Sequence, residues 1–278
     1  MKILLTGGTG YIGSAVLDRL TAAGHEVTAV VRSDDSRAKV EPTGATGLVG
    51  DLFDSAWLRE QLTTHDAAIH TAAGSDADDQ ALNTSVVEAA IAAFGGTTNP
   101  FVLTGGVWTY GSGADLAEDR EPNPVPLTAW RVPLEHQLLD SGLRATVVQP
   151  AVVYGHGAGI PAMLVGQKSL PGTGDQHWTT VHVDDLADLY LAALEAPGGQ
   201  AYLAASGDNP TVRELGDAIG ADVTAQGDEA TLDALGPFGE ALLLDQQASG
   251  AKARADLGWS PSRPTLVELL REGYPADR

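Results

Sequence analysis

Lys2-Ile3-Leu4-Leu5-Thr6-Gly7-Gly8-Thr9-Gly10-Tyr11-Ile12-Gly13 is the stretch that decides how this chain folds. A short apolar run leads straight into glycines at 7, 10 and 13. From Tyr11 to Ala23, Ile12, Ala15, Val16 and Leu20 then fall at helical spacing. Strand, glycine loop and amphipathic helix arrive in that order, and a second apolar run near 26–31 completes the unit within about thirty residues.

Such a helix start presents unpaired N–H groups and the positive end of the helix dipole, which suits a pyrophosphate. Glycines are required because a Cβ would block the approach. Gly7, Thr9, Gly10, Tyr11, Ile12 and Gly13 are therefore the candidate loop for a dinucleotide. At the end of the second strand, where an acid ordinarily meets the ribose hydroxyls, the chain offers Arg32, with Arg37 close behind. An arginine there suits a 2′-phosphate, which puts NADP(H) ahead of NAD(H). The competing reading leaves Arg32 in solvent and gives the ribose to Asp34 or Asp35. Asp51 and Leu52, after the third strand, match an adenine edge with a carboxylate beside a backbone amide, or else Asp51 caps a turn.

Working outward, short apolar runs near 2–6, 26–31, 46–49, 66–70, 100–104 and 144–149 alternate with helical patterns at 11–23 and 81–94. That alternation predicts an α/β fold, a doubly wound parallel sheet of Rossmann type. After Pro150 the texture becomes glycine-rich, and helices are predicted near 211–219, 229–235, 239–256 and 265–272. The expected organisation is a dinucleotide-binding domain over 1–155 plus about 178–203. A small, mostly helical C-terminal substrate lobe takes about 156–177 plus 204–278.

Composition mainly excludes. The 278 residues carry a formal charge of −21, which repels a nucleic acid backbone or an anionic membrane. There is no cysteine, so disulfides, thiolate metal sites and a cysteine nucleophile are absent. The apolar run at the N-terminus is too short for a signal segment, and no later run reaches spanning length. The expectation is a cytoplasmic protein that acts on a small molecule, with no nucleic acid or membrane partner. His156, His177 and His182 lie near Asp175 and Asp184 in sequence, but no tight ligand pair appears and no metal is expected. Trp108, Trp130 and Trp178 are read either as packing for a flat or apolar substrate or as core.

Eight stations in order resemble the extended or atypical branch of the short-chain dehydrogenase/reductase superfamily, the NAD-dependent epimerase/dehydratase-like proteins. They are Thr6 to Gly13, Gly50-Asp51-Leu52, Ile69-His70-Thr71-Ala72-Ala73, Asn83, Val107 to Gly111, Gln149-Pro150 to Gly155, Val181 to Leu186, and Leu257 to Pro261. The resemblance implies that Ala72 and Ala73 line the nicotinamide ribose. It implies that Pro150, Val152 and Val153 present backbone to the carboxamide, that the substrate lies between two lobes, and that relatives form homodimers through helices around 81–94 and 132–141.

By the same resemblance a Ser or Thr polarises the substrate oxygen, and a Tyr with a Lys four residues later moves the proton. Counting along this chain puts Gly106 at the Ser/Thr position, Leu127 at the Tyr position and Arg131 at the Lys position. Thr104 either substitutes for the missing hydroxyl or closes its strand. Arg131 either holds the ribose hydroxyls and steadies an oxyanion or makes a surface salt bridge, and Pro133 predicts a helix starting near Val132. Tyr110, with Tyr154, His156 and His177 behind it, completes the candidate donors. The expected function is an NADP(H)-dependent reductase of a small carbonyl, imine or conjugated alkene with a non-standard proton donor. The alternatives are a non-redox NADP(H)-binding regulator, or an isomerase, lyase or cyclase on the same fold. A sugar-nucleotide epimerase is weakened by the missing Tyr and Lys.

Overall fold

Ile3, Leu4 and Leu5 are at most 1% exposed, because their strand is covered on both faces, the condition that makes a parallel strand read as a continuous apolar run. A computed structural model describes residues 1–75 and 78–274. The N-terminal half runs β1 (Lys2–Thr6), α1 (Tyr11–Ala22), β2 (Glu26–Val31), α2 (Asp34–Val40), β3 (Thr46–Val49), α3 (Ser55–Leu62), β4 (Ala67–His70), α4 (Asp79–Phe94) and β5 (Phe101–Thr104). It continues through a 3-10 turn (Val107–Tyr110), β6 (Gly113–Leu116), a second such turn (Pro126–Thr128), α5 (Arg131–Leu139) and β7 (Ala145–Pro150). Then come β8 (Val152–Gly155), β9 (Ala158–Gly159), α6 (Ile160–Gln167), β10 (Ser169–Leu170), β11 (Thr180–His182), α7 (Val183–Ala193) and β12 (Gln200–Ala204). The chain closes with α8 (Val212–Ile219), β13 (Thr224–Ala225), α9 (Asp228–Leu242), β14 (Gln246–Ala248), α10 (Ala251–Leu257) and α11 (Leu266–Arg271).

A seven-stranded sheet has the order β12-β7-β5-β4-β1-β2-β3. The pairs from β7 through to β3 are parallel, with Leu4 registered on Thr28 one side and Ala68 on the other. This is the doubly wound sheet read from the sequence. Its winding reverses between β1 and β4, so the loops leaving their carboxyl ends diverge, and ligands of such sheets bind at that reversal.

The chain divides into two units. The first is Met1–Gly105, Pro133–Val148 and Ala187–Ala201; the second is Gly106–Val132, Gln149–Leu186 and Tyr202–Arg278. These boundaries differ from the sequence expectation. Residues 106–132 group with the C-terminal segments because β6 pairs with β14, and Gln246 Nε2 donates to the carbonyls of Val107 (3.0 Å) and Gly111 (2.8 Å). Residues 149–155 and 178–186 join them because β8 pairs with β11 and because Val152, Tyr154 and Trp178 belong to the second unit's apolar core.

That pairing also breaks the helix expected over 239–256. β14 occupies Gln246–Ala248, and helix resumes only at Ala251. Strand partners and the Gln246 hydrogen bonds outweigh a local helical pattern there. α9 is itself interrupted at Gly236, whose φ of 52° and ψ of −132° only glycine adopts readily, and Pro237 starts its second half. α5 starts at Arg131, one residue before the expected point. Pro133 is tolerated because it lies in the first turn, where amides have no acceptor within the helix. Among the described residues no helix is long and apolar enough to cross a membrane.

Candidate functional site

In the first unit the glycines meet the end of β4. Gly7 has a φ of +80°, and a Cβ built on it would lie 2.5 Å from the amide nitrogen of Ala72. A Cβ on Gly13 would lie 2.1 Å from the Gly7 carbonyl oxygen and 2.5 Å from Thr71 Oγ1. Gly10 N–H donates to the Gly7 carbonyl at 2.8 Å, which closes the loop onto the start of α1. The Gly10 N-cap has no side-chain partner, and Thr9 and Gly10 are exposed. The backbone at this helix start therefore faces outward, uncapped and with no Cβ in the way, which is the cradle an anionic pyrophosphate fits.

A buried polar chain fixes the loop from below. Thr71 Oγ1 donates to the Thr6 carbonyl at 2.8 Å. Asn83 Nδ2 donates to both the backbone carbonyl and Oδ1 of Asp79, so Asn83 Oδ1 faces His70 Nε2 at 3.2 Å as an acceptor. The ring hydrogen of a neutral His70 then sits on Nε2, and Thr6 Oγ1 donates to Nδ1 at 2.6 Å. Asp79 Oδ1 also accepts from Gly74 N–H at 2.9 Å. One hub thus ties the ends of β1 and β4 and the first turns of α4 to the loop carrying Ala72 and Ala73. His70 and Asn83 appeared in the sequence only as stations of a resemblance.

Arg32 is exposed at the end of β2, and Ser33 caps α2 by accepting from Ser36 N–H. Arg37 is drawn away into ion pairs with Asp34 at 2.9 Å and Glu41 at 3.6 Å. Asp51 Oδ1 accepts from Phe53 N–H at 2.9 Å, the turn cap that was one of its two readings. The Leu52 carbonyl accepts from Ser85 Oγ at 2.8 Å.

Thr104, a candidate for catalysis from the sequence, donates its hydroxyl hydrogen to the His70 carbonyl at 2.7 Å. With that hydrogen committed, Tyr190 OH is the donor in their 2.6 Å contact. The structure uses Thr104 to close its strand.

In the second unit, Tyr110, the other hydroxyl candidate, is 4% exposed and donates to Gln149 Oε1 at 2.7 Å. It is a buried brace, not an accessible proton donor. Tyr154 donates to the Pro264 carbonyl, and burial pushes its phenol well above the usual range. His177 is held by Asp245 at 2.9 Å and His156 by Asp184 at 2.9 Å. Burial lowers the pKa of His182 despite the neighbouring Asp184 and Asp185. Among the described residues no group of three or more His, Cys, Asp or Glu is placed to hold a metal ion.

Gly106 is extended, and a Cβ built on it meets no heavy atom within 4 Å, so the position where the resemblance puts a Ser or Thr is open space. Leu127 is half-buried in the 126–128 turn. The Arg131 guanidinium lies 4.4 Å from the centre of the Trp130 ring, a cation–π stack. Pro150 ends β7. Val152 N–H is taken by the Thr179 carbonyl at 2.9 Å, and Val153 is half-buried on β8.

A glycine cradle at the winding reversal of a parallel sheet is the geometry of a nicotinamide dinucleotide fold. The family model described as NAD dependent epimerase/dehydratase family matches residues 3–205. The chain belongs to that family. An uncharacterized protein of Schizosaccharomyces pombe is 30% identical over 99% of this chain and 100% of its own length. The 2-alkyl-3-oxoalkanoate reductase of Stenotrophomonas maltophilia is 31% identical over 77% of this chain and 73% of that protein. The human epimerase family protein SDR39U1, solved with NADPH, superposes with a TM-score of 0.77 at 22% identity, over 98% of both chains. In this NAD-dependent epimerase/dehydratase family member the glycine loop leads from β1 straight into α1.

Proposed function

We propose that this protein is an NADP(H)-dependent reductase of a small carbonyl, imine or conjugated alkene. The observation that carries the reading is the pairing of an open glycine cradle with an exposed Arg32 at the end of β2. Gly7, Gly10 and Gly13 would hold the pyrophosphate, Arg32 the 2′-phosphate, and Ala72 and Ala73 the nicotinamide ribose. When bound, the cofactor supplies hydride. Two comparisons support the reading: the Stenotrophomonas relative is a reductase, and the human structural neighbour was solved with NADPH.

Arg131 supplies fixed positive charge for a developing oxyanion and cannot carry a proton, so the proton comes from water. With a carbonyl substrate that turns over, Arg131→Ala should lower kcat by about 10–100-fold while NADPH affinity moves less than about threefold. Equal losses in both would make Arg131 a cofactor clamp. Arg32→Ala should cut the preference for NADPH over NADH by about 10–100-fold, the worth of a charged hydrogen bond. Nucleotide fluorescence titration reads this directly, and an unchanged preference would return the ribose to Asp34 or Asp35.

The open space at Gly106 and the apolar Leu127 favour one second reading, a regulator that binds NADP(H) without turnover. It gives tight NADPH binding and no NADPH consumption with any carbonyl, imine or alkene.

A further inference from the structure

We infer that the substrate of this protein carries an uncharged, flat apolar group received by Trp108 and Phe238, and that nucleoside diphosphates are excluded. The inference rests on the reductase reading for the reacting group alone, a carbonyl. It takes its substrate class from the second unit.

The first observation is the aromatic pair. Trp108 and Phe238 meet edge to face, with ring centres 5.9 Å apart and planes at 68°. Both rings are only half-buried, so each keeps uncovered surface while resting on the second unit's apolar core. Leu235 and Met163 are likewise half-buried against that core. The break at Gly236–Pro237 separates Phe238 from the preceding helical turns, so its ring direction is set by the second half of α9.

The second observation is Gly106, two residues before Trp108. Gly106 contributes no side chain, and no heavy atom lies within 4 Å of where its Cβ would be. Two positions before the tryptophan the chain leaves open space that a side chain would fill, and a flat ring uses such space without needing a hydrogen bond.

The third observation is charge. In the second unit acidic side chains outnumber basic ones by about two to one. Among its described residues several cations are held by internal partners. Arg213 pairs with Asp175 at 2.9 Å, Arg263 with Asp184 at 3.6 Å, and Lys168 with Asp222. Arg254 donates to the Ser206 carbonyl and lies over Trp259 at 5.4 Å. Pairing a diphosphate with any of these cations displaces its partner inside a negative field, whereas a neutral aromatic ketone meets no such cost.

The test uses the full chain saturated with NADPH and reads binding by ligand-observed NMR, with 2-acetonaphthone as the neutral flat probe and UDP-glucose as the diphosphate. The expected result is at least about tenfold tighter binding of 2-acetonaphthone. Trp108→Ala and Phe238→Ala should each weaken it about tenfold with NADPH affinity unchanged, the worth of one well-covered ring. Trp108→Phe and Phe238→Leu keep the core filled and should fall between these variants and the wild type, so a failure of the alanine variants to fold does not remove the test. Equal or tighter binding of UDP-glucose, binding of neither probe, or affinity indifferent to both rings overturns the inference. NADPH consumption separates the two readings. Ketone binding without consumption sinks the reductase and leaves the substrate class standing, while ketone-driven consumption that is indifferent to Trp108 and Phe238 does the reverse.

Discussion

Gly13→Ala is expected to weaken NADPH binding by at least about 100-fold and to lower stability by about 1–3 kcal/mol. The added methyl would sit 2.1 Å from the Gly7 carbonyl oxygen and 2.5 Å from Thr71 Oγ1. Neither neighbour can yield cheaply. The Gly7 carbonyl is the acceptor that closes the loop through Gly10 N–H, and the Thr71 hydroxyl is hydrogen-bonded to the Thr6 carbonyl. Moving either one turns the outward-facing amides of the loop away from a pyrophosphate. Gly8 supplies the control within the same loop. A Cβ there would make ordinary contacts of 3.4 Å to the Leu5 side chain and 3.5 Å to Ala29 Cβ, so Gly8→Ala should keep NADPH affinity within about threefold of wild type. The two variants, compared by nucleotide fluorescence and thermal melting, separate loss of the cradle from general damage to the loop. Equal affinities would mean that the dinucleotide does not lie on this backbone.

The contrast between Gly13 and Gly8 also shows what was legible in the sequence. The spacing of glycines 7, 10 and 13 between an apolar run and an amphipathic helix is a local property, and the structure places strand, loop and helix where that spacing required. The sheet was legible for the same reason. Strands β1, β2 and β3 match the expected ranges residue for residue, and β4, β5 and β7 lie within one residue of theirs, because strands covered on both faces must be continuously apolar. Gln246 marks where local reading stops. Its side chain bonds to two carbonyls more than 130 positions away, and no pattern around 239–256 announces that partner. The same long-range pairing groups residues 106–132 with the C-terminal segments. Thr104 and Tyr110 looked like donors in the sequence because a hydroxyl's type is visible there and its partner is not. Tyr190 and Gln149, the partners that commit them, lie 86 and 39 positions away.

His70→Leu is expected to destabilise the protein by about 3 kcal/mol, because two buried partners lose their bonds at once. His70 is 0% exposed, and Thr6 and Asn83 are 1% and 2% exposed, so water does not replace the imidazole. Thr6 Oγ1 loses its acceptor at 2.6 Å and Asn83 Oδ1 its donor at 3.2 Å. Each stranded group costs about 1–3 kcal/mol. The bond from Thr104 survives, since it goes to the His70 carbonyl, so the ends of β4 and β5 stay joined. The damage concentrates on Asn83, whose amide also anchors Asp79, and through Asp79 Oδ1 on Gly74 and the loop that carries Ala72 and Ala73. A double-mutant cycle distinguishes this hub from ordinary core packing. Asn83→Leu alone strands His70 Nε2–H, but His70→Leu with Asn83→Leu removes donor and acceptor together, so the pair should be less destabilising than the sum of the singles by about 1–2 kcal/mol. Denaturant melts of the four proteins give the coupling directly. Additive losses would show that the two side chains only fill space. A positive coupling with NADPH affinity lowered in both single variants would show that the polar chain beneath the glycine loop holds the dinucleotide site in shape.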